Sequence, residues 1–246
     1  MTFIKGVKLL SKKELGETFS SPMIYIFTAI FSFLVGGVFY NNLSFIKEVT
    51  NVSIVNGALA PTFSAMNFML MIFAPMITMG CFVKEKREHT LPLLKLSKIG
   101  DKEIFWGKYI ALIVKGLFII LPSITFPIIL SFSGFNDWAI VLINYIGIIG
   151  LFCCYLVVGA FASLLTRNYI IAIVLTFGIL FSFLILASTG ASINNEIVSQ
   201  LLKYASLGQH TYYFARGAIV SYDLVYFASF IGFFSYVSVR LLGVRR

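Results

Sequence analysis

Six stretches of this chain run for about 20 residues or more with almost no ionisable side chain, which is the length of apolar helix needed to cross about 30 Å of hydrocarbon. They cover residues 22–40, 61–83, 109–131, 138–165, 169–189 and 224–242. The chain therefore reads as a single all-α integral membrane domain over residues 1–246, with six transmembrane helices. Composition agrees: 59% of residues are apolar and 12% charged, against about 45–50% and about a quarter in a soluble domain. Only Lys115, six residues into the third stretch, and Arg240, near the end of the sixth, bring charge into a span, and both are placed to snorkel toward headgroups. No Asp or Glu falls within these bounds. The first stretch starts late and lacks a small-residue cleavage site, so it reads as a retained span.

The net charge of +9 is distributed as a topology signal. With the N-terminus inside, Lys5, Lys8, Lys12, Lys13, Lys84, Lys86, Arg87, Lys95, Lys98, Lys102, Lys108, Arg167, Arg240, Arg245 and Arg246 are cytoplasmic, while only Lys47, Lys203 and Arg216 are external. That bias predicts an N-in, C-in orientation. A basic balance spent this way is no argument for a nucleic-acid partner. Cys81, Cys153 and Cys154 all fall in spans and read as small packing residues.

Between the spans, residues 1–21 place Phe3, Ile4, Val7, Leu10, Leu15 and Phe19 on one side of a helical wheel and Lys5, Lys12 and Lys13 on the other, predicting an interfacial helix against membrane lipid. Residues 190–223 are too apolar for a plain loop. Ile193, Ile197, Leu201 and Tyr204 recur at helical spacing, Gly208 can close that helix, and a second short apolar piece follows, so two short helices dipping into the outer leaflet are expected. The cytoplasmic loop 84–108 gathers charge beside Leu91, Leu93, Leu94 and Leu96. Thr90 is placed to cap one helix, Gly100 to stop it and Asp101 to cap the next. Charges and leucines on one element at the membrane surface have the form of a docking surface.

Catalytic chemistry finds no footing. His89 and His210 lie outside the spans, so no intramembrane metal site or Ser-His pair can be built, and no catalytic, cofactor or metal residue is assigned. Gly100 to Lys108 is not a phosphate loop, because six residues separate Gly100 from Gly107 and Tyr109 follows Lys108 where Ser or Thr is needed. A nucleotide that powers this chain binds another subunit.

Three segments, in order, carry a family resemblance. "KKELGETFSSPMIYIFTAIFSFLVGGVFY", "FAPMITMGCFVKEKREHTLPLLKLSKIGDKEIFWGKYIA" and "HTYYFARGAIVSYDLVYFASFIGFFSYVSVRLL" resemble the opening, the second-span-to-third-span connection and the closing helices of the permease subunits of ABC-2-type transporters, in the branch of gliding-motility and nitrous-oxide-reductase-maturation permeases. The pattern departs at Gly80, where arginine is common, at His89, where a glycine usually precedes Thr90, and at Ser97-Lys98, where proline is common. The resemblance implies a permease subunit in the cell membrane, paired with a second identical or related permease and clamped by ABC-type ATPase subunits. Glu85, Lys86, Arg87, Thr90, Leu91, Leu94 and Arg167 are the expected coupling residues. The expected cargo is a hydrophobic or amphipathic solute moving outward; the alternative is a non-transporting membrane anchor for a soluble protein. For the dimer face, Gly36 with Gly37, and Gly159 with Ser163 at small-xxx-small spacing, are the candidates; packing within one subunit would use the same residues.

Overall fold

The computed structural model describes residues 3–48, 55–90, 100–132, 136–192 and 195–244, and among them there is no strand. Helix α1 (Phe3–Phe19) turns at Ser20 and Ser21 into α2 (Pro22–Glu48), with Pro22 at the first helical position, where its missing N–H costs nothing. A π-helical turn, Val55–Leu59, leads into α3 (Ala60–Thr78). Pro75 in α3 has no N–H for the carbonyl four residues back, and the helix is interrupted just beyond it, at Met79, before α4 (Gly80–Arg87). The next span is broken in the same way: α5 (Asp101–Ile120) and α6 (Thr125–Ser131) are joined by a 3₁₀ turn, Leu121–Ile124, containing Pro122. Helices α7 (Trp138–Leu165) and α8 (Tyr169–Ser192) follow. Beyond them come the short α9 (Glu196–Ala205) and α10 (Tyr212–Ala215), and finally α11 (Ser221–Val244).

Six helical segments are long and apolar enough to cross a membrane: Pro22–Phe45, Gly57–Arg87, Asp101–Ser131, Trp138–Leu165, Tyr169–Gly190 and Ser221–Gly243. Two sequence expectations are corrected at helix starts. The cap of α5 is Gly100 and not Asp101: Gly100 donates its N–H to Glu103 Oε2 at 3.2 Å, and the amide of Ile104 returns to the carbonyl of Gly100. Helix α11 begins at Ser221, so Asp223 occupies its first turn and a carboxylate does enter a span.

The fourth span forms the centre. In its most apolar window 72% of α7 is buried within the protein, against 22% for the first span and 18% for the fifth. Close approach to α3 is made possible by Gly159, where a Cβ would lie 2.0 Å from Thr78 Oγ1. Ser163 is wholly buried and donates to Ala160 O at 2.7 Å. The small pair Gly159 and Ser163 is therefore taken up by packing within this chain. Gly37 is different: it is exposed, and no described residue lies within 4 Å of a Cβ built there; at Gly36, among the described residues, only the Phe126 ring does, at 3.6 Å.

Polar atoms in the centre find partners across helices. Tyr109 Oη donates to Cys153 O at 2.9 Å, and Ser123 Oγ pairs with Tyr145 Oη at 2.9 Å. Helix α1 lies along α5, where Gly107 lets Leu10 approach so closely that a Cβ would meet Leu10 Cβ at 2.9 Å. Val7 and Leu10 are buried in that seam, while Phe3 and Ile4 from the same apolar arc stay 49% and 76% exposed.

Candidate functional site

Consecutive residues on a helix point about 100° apart, and the last turns of α4 use that rotation to reach three neighbours. Lys84 pairs with Glu17 of α1 at 2.7 Å. Glu85 Oε1 accepts a short hydrogen bond from Lys108 Nζ of α5, and Glu14 Oε1 of α1 accepts a second from the same ammonium at 2.6 Å. Lys86 turns toward the end of α7, where its ammonium donates to the carbonyls of Leu164, Ser163 and Thr166, the latter two at 3.3 Å. Carbonyls at a helix C-terminus lack intrahelical donors and sit at the negative end of the dipole, so a buried cation there is doubly favoured.

The Lys108 ammonium is almost wholly enclosed, 2% exposed, with the Phe82 ring 5.5 Å from it on a further side. A buried charge persists only where paired and hydrogen-bonded, and two carboxylates from two different helices satisfy that condition. The other Glu85 oxygen, Oε2, is buried without a hydrogen bond to any described residue. On the rim, the hydrogen bond from Lys84 holds the Glu17 carboxyl below its ordinary value of 4.5, outweighing the opposite effect of burial. Glu17 and Lys84 are both close to half exposed, so solvent screens that pair.

The coupling residues expected from sequence divide into groups. Glu85 and Lys86 have their charged ends turned inward, onto α5 and α7. Arg87 is exposed and lies 5.6 Å from the Tyr169 ring at the start of α8. Arg167 is exposed in the short link between α7 and α8. Thr90 is half-buried and ends the α4 turn, whereas Leu91 and Leu94, with the helix that Thr90 was expected to cap, lie outside the described residues.

Helix α4 terminates through His89, whose φ of 55° is left-handed, while Thr90 N–H bonds to Glu85 O at 2.9 Å. That six-to-one closure normally employs glycine, the residue that the family pattern has before Thr90. A side chain in this conformation costs about 1–2 kcal/mol, so His89→Gly is expected to stabilise the chain by about 0.5–1 kcal/mol, after the extra unfolded-state freedom of glycine is deducted. Thermal midpoints in one detergent check this; a lowered midpoint would mean that the His89 side chain makes a stabilising contact of its own.

A second polar cluster lies at the opposite end of the chain's spans and was not legible as a pair. His210 Nδ1 is 2.7 Å from Asp223 Oδ1, and Nε2 is 2.9 Å from Tyr204 O. Both ring nitrogens thus have an oxygen within hydrogen-bond distance. Both side chains are buried, the Tyr226 ring stacks on His210 at 3.7 Å, and Tyr226 Oη donates to Ala205 O at 2.8 Å. The cluster fastens α9 and the turn after it to the first turn of α11. On α9 itself, Asn195 caps the first turn by accepting from the amides of Ile197 and Val198, and Ser199 donates to Gly190 O at 2.6 Å. Ile197 and Leu201 remain largely exposed, so the apolar stripe of this helix faces away from the protein.

The cluster at α4 ties helices together by charge. Residues 48–238 match the protein family described as "ABC-2 family transporter protein". No curated protein matches the chain. The match covers more than three quarters of the sequence and includes five of the six spans in full or nearly so, and the six helices suited to crossing a membrane make this a multi-pass membrane component. The chain belongs to the ABC-2 family of transporter proteins.

Proposed function

We propose that this chain is the permease of an ATP-driven exporter for a hydrophobic or amphipathic solute, in the gliding-motility and nitrous-oxide-reductase-maturation branch of the family. It works in the cell membrane with both termini in the cytoplasm, next to a second permease copy or relative, and takes its power from a separate ABC-type ATPase. The observation that carries the coupling part of this reading is the three-way attachment of α4: to α1 and α5 through Glu14, Lys108 and Glu85, and to the end of α7 through Lys86. A partner that moves the segment beyond Arg87 displaces the central helix as well. Leu91 and Leu94 supply apolar anchors, Thr90, Arg87 and Arg167 orient the partner, and Glu85 and Lys86 pass the displacement inward. The exposed Gly37, beside Gly36 on a first span with little burial of its own, is the place for close approach of a second permease. Helix α9 rests its exposed Ile197 and Leu201 in the outer leaflet.

Co-expression with a candidate ATPase tests the reading. Leu94→Asp buries an unpaired carboxylate in the contact, a cost of several kcal/mol that abolishes a micromolar complex. Copurified ATPase and solute-stimulated hydrolysis should both disappear, while a Lys95→Arg control keeps them and the mutant still inserts in the membrane. Retention of both activities in Leu94→Asp sinks the coupling role of this segment.

A further inference from the structure

Where α1 meets α2, the α3–α4 junction and α5, the chain encloses a cavity of about 270 Å³ with two unlike ends. Glu14, Glu17, Lys84 and Lys108 line it at the level of α1, and Ile24, Phe27, Met76 and Leu112 form its apolar wall. Four of the charges are spent on one another: Lys84 on Glu17, and Lys108 on Glu14, with Glu85 completing the Lys108 pairing from outside the lining. Lys115 is the exception. It lines the cavity, is only partly exposed, and has no hydrogen bond or ion pair with any described residue.

The helical rise puts Lys115 about 10 Å beyond Lys108 along α5, on the apolar side. Side chains on a helix lean toward its N-terminus, so the ammonium leans back toward the charged end. A lone ammonium against apolar walls lacks the hydrogen bonds that would compensate its lost hydration. A phosphate oxygen supplies them in the strong, charge-assisted form. The apolar wall beside it accepts a hydrocarbon chain, which a free anion does not have. We propose that this cavity is a binding site for an anionic phospholipid of the leaflet on the α1 side, with the phosphodiester on Lys115 and one acyl chain along Ile24, Phe27 and Met76. The site shares Glu14, Lys84 and Lys108 with the attachment of α4, but lipid binding there does not depend on transport.

The test uses the purified full chain in phosphatidylcholine nanodiscs containing a photoactivatable phosphatidylglycerol or a photoactivatable phosphatidylcholine, with adducts mapped by mass spectrometry. Phosphatidylglycerol should label the cavity-lining peptides in preference to phosphatidylcholine. Lys115→Gln should reduce that labelling about tenfold, the equivalent of one charge-assisted hydrogen bond, whereas Lys115→Arg should keep it. Met76→Trp fills the apolar wall, leaves every charge in place and should also reduce labelling, so the proposal remains testable if Lys115→Gln fails to fold. Equal labelling by the two lipids, or undiminished phosphatidylglycerol labelling in both Lys115→Gln and Met76→Trp, overturns the site. Loss of phosphatidylglycerol labelling when inorganic phosphate is present during irradiation overturns the lipid as occupant and assigns a free-anion site.

Discussion

Lys108→Met is expected to be among the most destabilising single substitutions in this chain. It leaves Glu14 and Glu85, both mostly buried, facing a shared space without their cation, and removing one partner of a buried ion pair typically costs about 3–5 kcal/mol. For a protein of this size that is a fall in melting temperature of about 10 °C. The cause is separable from loss of packing, because methionine fills much of the same volume. Glu14→Gln and Glu85→Gln, added to Lys108→Met, remove the stranded charges and should restore most of the lost stability, since replacing a whole buried ionic group is often nearly neutral. The check is a melting series of parent, single and triple variants in one detergent. A parent-like midpoint for Lys108→Met, or a triple variant no better than the single, would show that water reaches the cluster and holds those carboxylates.

At the opposite end, Asp223→Ala should cost about 2–3 kcal/mol, because it strips the hydrogen-bond partner from a ring nitrogen of a histidine only 2% exposed. Asp223→Asn keeps an acceptor for His210 Nδ1 while removing the charge, and should lose about half as much. The damage is expected to be local. Hydrogen exchange should accelerate between Tyr204 and Asp223, where the histidine closes one side of the connection, and remain unchanged at Lys108. Uniform acceleration through all six spans would mean that the pair supports the whole fold and is not a local clasp.

The spans were legible because their signal is local: a continuous apolar run states its own length, and Pro22 marks a helix start without reference to anything distant. The ionic cluster was not, because Glu14 and Lys108 are 94 residues apart and Lys86 and Leu164 are 78 apart. In sequence, Lys86 and Lys108 are two more cytoplasmic lysines among many, and the positive-inside rule explains them without requiring a partner. Gly159 and Ser163 show a further limit. Small-xxx-small spacing announces that some helix comes close but does not say whose, and here it is α3 of the same chain. Asp223 was missed for a simpler reason, since a boundary drawn at the first unbroken apolar residue excludes the polar turn on which a helix starts. His89 was legible as a departure from the family pattern; its left-handed backbone supplies the physical meaning of that departure.

The central position of α7 bears on biogenesis. Spans leave the ribosome in order, so Thr78, Tyr109 and Ser123 reach the bilayer before the helix that covers them or accepts from them has been made. Until Trp138–Leu165 arrives, the first three spans present these hydroxyls to lipid, and the end of that helix is not yet there for Lys86 to hold. Nascent chains halted before Asn136 should therefore insert yet remain loosely associated, open to quality-control proteases, and tighten only once the fourth span has been delivered.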